Sequence, residues 1–422
     1  MIPSEFAHIL LPAIVAISLV LMLVRPRGIA EFWWISGGAL LLIALRLIPL
    51  KLVGRAVAEG TNVYLFLIGM MLLSELAREQ GVFDWLSFLA VRGAKGSRSR
   101  LFLLVYLVGT VVTIFMSNDA TAVVLTPAIL VVVRKAKISP LPYLFVCAMI
   151  ANAASFVLPI SNPANLVVFR TGMPPLGQWL LAFGLPSALS IAATYAVLRV
   201  YFRNDLRESM ESEVTPVTLT AEGKMVLAGL GLMLAILLAA SATNKALGLP
   251  TCLAALMITA AVSVKSKSNP LKLFGEISWG TLLLVAGLFI LVDAAASQGA
   301  LRFTHEWLAS AQTLAPAAAA LVVGFGVGIG NNLVNNLPLG LIAGGTIQAA
   351  HVHGLLANAT MIGVDLGPNL SVTGSLATIL WLIALRREKL EVSFWKFLQV
   401  GAIAMPIALA AALGGAILMA RL

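Results

Sequence analysis

Charge is what this sequence has least of: Asp, Glu, Lys and Arg make up only 11% of its 422 residues, less than half the share in an ordinary soluble protein. Cysteine is nearly absent. Cys147 and Cys252 each sit among apolar neighbours, which leaves no thiolate cluster for a soft metal and no disulfide framework. The few histidines give no metal-binding spacing either, since His351 and His353 fall in a hydrophilic turn. Neither a metal nor a cofactor is therefore expected. There is no His-Glu-x-x-His run and no Gly-x-Ser-x-Gly elbow to support a membrane enzyme. The run Gly324-x-Gly326-x-Gly328-x-Gly330 lies inside an apolar stretch without a following Lys-Ser/Thr, so it reads as close helix packing and not as a nucleotide loop.

What the chain has instead is hydrophobicity, at 60% of residues. Its charges collect in short runs at 92–100, 134–137, 199–224, 265–272 and 386–396, separated by long apolar stretches. Such a pattern belongs to membrane spans joined by short loops. The formal net charge of +10 resides on Lys and Arg that cap these spans. Anionic membrane lipids, and not nucleic acid, are their expected partners. The first span begins at about Phe6 with no charged leader region and no cleavage site, and reads as a retained helix.

The expected fold is an all-α polytopic protein of the inner (plasma) membrane, with ten to twelve membrane-crossing elements. Residues 1–202 form an N-terminal half and 225–422 a C-terminal half. Between them, 203–224 is the longest hydrophilic piece and carries Asp205, Arg207, Glu208, Glu211, Glu213 and Glu222. Its Lys and Arg residues predict a cytoplasmic linker, on the same side as Lys265–Lys272.

Four apolar segments are interrupted by polar, proline-bearing words. Ser117-Asn118-Asp119 precedes Thr126-Pro127, and Ser161-Asn162-Pro163-Ala164-Asn165 breaks the segment that starts at Pro142. In the second half the interruptions are Asn331-Asn332-Leu333-Val334-Asn335-Asn336-Leu337-Pro338 and Asp365-Leu366-Gly367-Pro368-Asn369. The halves superpose by eye: Glu75 followed by Gln80-Gly81 matches Asp293 followed by Gln298-Gly299, Ser117-Asn118-Asp119 faces Val334-Asn335-Asn336, and Asn162-Pro163-Ala164-Asn165 faces Gly367-Pro368-Asn369. Paired interruptions of this kind predict two structural repeats, inverted if each half crosses an odd number of times. Discontinuous helices or re-entrant hairpins from both would build a midplane binding site.

Irregular backbone at membrane depth is tolerated only where it is buried in protein or lines a wet cavity. Asparagine suits such places because its amide both donates and accepts. Ser117, Asn118, Asn162, Asn165, Asn335, Asn336 and Asn369 are accordingly the candidate solute-binding residues, although Asn and Ser also glue membrane helices together. Carboxyl groups are costly at depth and mark proton relays. Asp119 is the leading candidate for proton coupling, with Asp365, Glu75 and Asp293 behind it; Asp365 could equally cap a helix, and Glu75 and Asp293 could pair with loop arginines. A scaffolding protein would have no use for polar breaks at this depth.

The stretches Phe115–Pro127, Asn335-Asn336-Leu337-Pro338 and Asp365-Leu366-Gly367-Pro368-Asn369-Leu370, with Gly374-Ser375-Leu376-Ala377-Thr378, resemble the arsenite/antimonite efflux carriers of the ArsB family, within the ion transporter superfamily. The resemblance runs from about Glu59 to the C-terminus. It implies proton-coupled efflux of trivalent arsenic or antimony hydroxide, alone or energised by a soluble arsenite-stimulated ATPase subunit. It also implies substrate contacts at Asn118, Asp119, Asn162, Asn335, Asn336 and Asn369. Where sodium/carboxylate relatives carry Ser-Asn-Thr sites, this chain has Ser161-Asn162-Pro163. That departure weighs against a sodium-coupled dicarboxylate symporter. A sodium/proton antiporter or small organic-anion carrier of the same fold is the alternative.

Overall fold

The structure, a computed structural model, describes residues 4–170, 172–210, 216–299 and 301–421. Glu211 and Glu213 of the expected linker lie outside the described residues. Among the described residues every regular element is helical. The first half comprises α1 (Ser4–Val24), α2 (Glu31–Ala44), α3 (Leu50–Glu59), α4 (Thr61–Glu79), α5 (Val82–Ala94), α6 (Arg98–Phe115), the short α7 (Asn118–Ala120), α8 (Thr126–Lys135), α9 (Leu141–Ala153), α10 (Pro163–Val168) and α11 (Leu176–Tyr201). The second half comprises α12 (Ala221–Ala242), α13 (Gly248–Ser266), α14 (Pro270–Glu276), α15 (Trp279–Ser297), α16 (Arg302–Gln312), α17 (Pro316–Val334), α18 (Asn336–Ala349), α19 (Leu355–Leu366), α20 (Leu376–Arg387) and α21 (Phe394–Met419).

Among the described residues, seven helices are long and apolar enough to cross a membrane, and α3 with α4, bent by 45° at Gly60, makes an eighth. Ile9–Val24, Glu31–Ala44 and Leu141–Ala153 are shorter apolar helices, so the ten to twelve elements read from hydropathy include short and broken ones.

The two halves are inverted repeats. A single offset of 218 residues carries the start of α4 onto α15, α6 onto α17 and α11 onto α21. Equivalent helices run in opposite directions. Lys396, at the start of α21, donates to the Tyr201 hydroxyl at the end of α11, while Gly415 near the end of α21 packs on Pro186 in the first half of α11. Tyr64 at the start of α4 meets Phe289 in the second half of α15, which gives the same antiparallel sense.

Following these directions through the chain sorts the charges. Of 28 Lys and Arg, only Arg46, Lys51, Arg55, Arg170, Lys245, Arg302 and Arg421 lie at one end of the bundle, and the rest sit at the other. An excess of positive charge predicts that this other end faces the cytoplasm, and the two ends are called cytoplasmic and outer on that basis. The cytoplasmic end holds the start of the central linker, where Arg98 pairs with Glu208 at 2.7 Å and donates to the Asp205 carbonyl. The linker's last residues are not loop: Glu222 and Lys224 already belong to α12.

Glycines let the helices approach, as the spacing along α17 predicts. Gly324 packs on Leu413, Gly326 on Trp307, and Gly328 on Leu409. α19 lies close against α17, where a Cβ on Gly363 would come within 2.6 Å of the Gly324 carbonyl oxygen. Backbone cannot yield as a side chain can, so Gly363→Ala should cost about 1–3 kcal/mol of stability or more. Gly37→Ala, with open space around it, should cost little. Thermal melting of the two detergent-solubilised variants by size-exclusion fluorescence tests the contrast, and equal melting curves would refute it.

Candidate functional site

Each half contributes one hairpin and one broken helix. In the first, α6 turns at Ser117 and returns through α7, a π-helical turn at Thr121–Leu125, and α8. The π turn sits just before Pro127, which has no N–H to offer the regular ladder. Thr126 Oγ donates to the Thr121 carbonyl there (3.0 Å), and Thr113 and Thr121 hydroxyls tie the two arms together at 2.8 Å. In the second half α17 turns at Asn335 and returns as α18.

Both turning residues are non-glycine with positive φ, Ser117 at 146° and Asn335 at 76°. Such backbone costs about 1–3 kcal/mol and persists only where its surroundings hold it. Equivalent bonds do so in each half. The Asn118 N–H donates to the Ser161 carbonyl at 3.0 Å, and the Asn336 N–H donates to the Gly374 carbonyl at 2.9 Å. Ser161 Oγ also donates to the Ile114 carbonyl, and Asn335 Nδ2 donates to the Thr373 carbonyl. Each hairpin tip is thus fastened to the unwound break in its own half.

The breaks correspond differently from the way the sequence words align. Asn162 caps α10 by accepting from the Ala164 N–H, and the residue that caps α20 in the same way is Ser375, accepting from Thr378. Asn162 therefore matches Ser375, while Gly367-Pro368-Asn369 is a short helical turn that ends six residues earlier. Short proline-bearing words align easily, but only the cap geometry fixes where each second arm begins. In this register Asn152 matches Asp365. The two halves are then joined by equivalent contacts: Asn162 Nδ2 donates to Asp365 Oδ1 (2.7 Å), and Ser375 Oγ donates to Asn152 Oδ1 (3.4 Å). A third bond, Asn152 Nδ2 to Asn369 Oδ1 at 2.9 Å, and one from Asn369 Nδ2 to the Met149 carbonyl complete the seam.

At the centre lies a crevice lined by Asn118, Asp119, Asn162 and Asn336, with Pro163, Leu337, Leu376 and Ala377 from the first turns of α10, α18 and α20. Its volume is about 10 Å³, room for one water molecule. Four helix N-termini therefore converge on one small space, two from each half. Several of their first-turn N–H groups are already capped, so what the helix ends offer is the positive pole of each backbone dipole, which favours oxygen atoms or negative charge. Two buried acceptors also line it with no partner, Asn118 Oδ1 and Asn336 Oδ1, and these residues are equivalents in the two repeats. Because inverted repeats share a plane midway through the membrane, such a meeting places the crevice near that plane.

Asp119 stands at the junction of the crevice with a larger cavity of about 450 Å³. That cavity is also lined by Ser117, Ser74 and Glu75, and it reaches Glu276, Arg387 and Glu388 at the cytoplasmic face. Asp119 is only partly buried, and its carboxylate has no hydrogen-bond or ion-pair partner among the described residues. On the opposite side, the six residues of α10, about 9 Å of helix, separate the crevice from the outer face.

The structure thus brings together Asn118, Asp119, Asn162 and Asn336. Asn335, Asn369 and Asp365 lie one layer behind, holding backbone and side chains in place. Asn165 does likewise, donating to the Ser155 and Leu158 carbonyls inside the first break. Glu75 forms an ion pair with Arg78 at the cytoplasmic end of α4. Asp293 pairs with Arg170 at the outer end of α15, at 3.5 Å. Sequence reasoning passed over Asn152 and Ser375. The signal for Asn152 was a lone amide inside the apolar run 149–154.

Comparison with known proteins bears on this arrangement. The family described as citrate transporter, CitMHS, matches residues 5–366 of the chain. The arsenical pump membrane protein of Yersinia enterocolitica is 26% identical over 410 residues, covering 93% of this chain and 94% of that protein. Its counterpart from Escherichia coli K12 is 25% identical with the same coverage. An uncharacterized transporter of Mycobacterium tuberculosis is 26% identical over 83% of this chain and 84% of its own. Among solved structures, the YdaH transporter of Alcanivorax borkumensis superposes with a TM-score of 0.57, covering 87% of this chain and 86% of that one. At 15% identity that likeness speaks for the fold alone.

Proposed function

Since the chain belongs to the CitMHS family of membrane transporters, we propose that it is a secondary carrier that exports trivalent arsenic and antimony hydroxides across the inner membrane in exchange for protons. The observation that supports this most is the set of acceptors around the crevice. Asn118 Oδ1 and Asn336 Oδ1 are unpartnered, and the Asp119 carboxylate is the third acceptor in reach of the same space. A neutral trihydroxide carries three O–H donors and matches three acceptors without any cation; the crevice, about 10 Å³ as it stands, would have to widen toward the 450 Å³ cavity beside Asp119 to admit it. The similarity to arsenical pump proteins over more than nine-tenths of the chain points the same way.

Export of a neutral solute against its gradient needs a coupled ion. Asp119 would supply it by alternating between carboxylate and acid. From the cytoplasmic cavity the solute meets the carboxylate, and after reorientation a proton from outside takes its place. The cavity open to the cytoplasmic face suits the loading stage of that cycle.

One observation favours a second reading. Four helix N-termini would equally suit a small carboxylate anion, and the family carries citrate in its description. Against it, no Lys or Arg lines the crevice. Everted membrane vesicles separate the readings. Accumulation of arsenite driven by an inward-acid proton gradient, abolished by a protonophore and unaffected by citrate, is the expected result. Accumulation of citrate with no movement of arsenite would overturn it. The double variant Cys147→Ala, Cys252→Ala should keep full transport, because neither thiol lines the crevice.

A further inference from the structure

A second polar chamber lies at the outer face. It has a volume of about 340 Å³, and its polar lining is Asn62, Arg170, Ser241, Asn244 and Lys245. No carboxylate is among its lining residues. The other walls are apolar side chains and the turn at Gly172, Met173 and Pro174.

We propose that this chamber binds a small tetrahedral oxyanion of the phosphate class, with Lys245, Arg170 and Ser241 as its donors. Arg170 belongs to an ion-pair cluster on its far side. Its Nη1 lies 3.3 Å from Glu59 and 3.5 Å from Asp293, and Glu59 also pairs with Arg55. Two acids and two arginines cancel there, which leaves the charge of Lys245 uncompensated. Lys245 forms no ion pair with any described residue.

The donors left over are what point to a ligand. A guanidinium has five N–H groups, and Arg170 spends only Nη1 on its carboxylates. Its Nε is buried without a partner. Ser241 is 6% exposed, lines the same chamber, and its Oγ also has no partner. Unpaired buried donors cost roughly 1–3 kcal/mol each unless something accepts from them. An oxyanion offers several strong acceptors and the charge that Lys245 calls for, and a planar fork beside an ammonium is a common way to hold one.

The chamber is separate from the central crevice, with α10 between the two. It therefore does not depend on which solute the crevice carries. Two sources could supply the anion, dissolved phosphate or the headgroup of an anionic lipid in the outer leaflet, and the test distinguishes them.

The full-length protein is reconstituted in nanodiscs of phosphatidylcholine alone, and its melting temperature is followed while inorganic phosphate is added at constant ionic strength. Saturable stabilisation that Lys245→Gln weakens at least tenfold in phosphate concentration, and that Ser241→Ala also weakens, supports a site for the free ion. Stabilisation by phosphatidylglycerol in the discs without phosphate, lost in Lys245→Gln, supports a headgroup site. No saturable effect of either, or an effect that both variants retain in full, overturns the proposal. Neither residue touches the crevice, so arsenite transport by unmodified vesicles reports on the carrier reading independently.

Discussion

Asp119→Asn is expected to yield a folded protein that no longer moves arsenite against its gradient. The side chains are nearly the same size, and the carboxylate has no partner among the described residues to lose, so folding should tolerate the change. What the amide cannot do is exchange a proton. Asp119 lines both the central crevice and the cytoplasmic cavity, and among the described residues it is the only acid lining the crevice. Proton-driven accumulation in everted vesicles should fall to the level of vesicles without the protein. Exchange of labelled arsenite across the membrane at zero gradient would persist if the amide can stand in for the charged acceptor. Full proton-driven export by Asp119→Asn would end the claim that this residue couples transport. Asp365→Asn should behave differently, because Asp365 is fully buried and occupied by Asn162, so its main effect would be on stability.

The second large effect comes from the paired amides. Asn118→Ala and Asn336→Ala should each weaken solute affinity by about five- to tenfold, the value of one net hydrogen bond of roughly 1 kcal/mol or slightly more. The two losses should be alike, because the residues are equivalents in inverted repeats and face one space. Stability should change little, since the oxygen removed in each case has no partner among the described residues. Asn162→Ala makes the contrast. Its amide donates to Asp365 and its oxygen caps α10, so truncation strands a buried carboxyl and an N–H and should cost about 1–3 kcal/mol. Binding of arsenite by the purified variants, with their melting temperatures, checks both statements. A loss confined to one of the two amides would argue against a shared site.

Much of this architecture is legible along the chain because membranes impose strong local rules. Apolar length marks the spans, and polar proline-bearing words mark where a span cannot continue. Asn118, Asp119, Asn162 and Asn336 all lie in such words, and all four line the crevice. The acids Glu75 and Asp293 illustrate what the words leave open. Each stands at the same point of its repeat, yet inversion sends one to the cytoplasmic face beside Arg78 and the other to the outer face beside Arg170. Their arginine partners, three residues away in one case and 123 in the other, show why reading along the chain could not rank them.

The register of the broken helices was beyond the sequence for a related reason. Two breaks of unequal composition, Asn162-Pro163 and Ser375-Leu376, cap their helices alike, while the more similar word Gly367-Pro368-Asn369 does another task. Capping depends on a hydrogen bond and a backbone angle, and serine and asparagine serve it equally well.

By itself the sequence determined that the chain spans a membrane, that it is built twice over, and that amide-rich breaks and a carboxyl lie within the apolar segments. Those properties depend on hydropathy and on residues close together in the chain. Which breaks meet, which acid is left without a partner, and which face each charge reaches were decided only by tertiary structure. The bonds responsible join residues such as Asn162 and Asp365, 203 positions apart, and they form because inverted halves pack antiparallel.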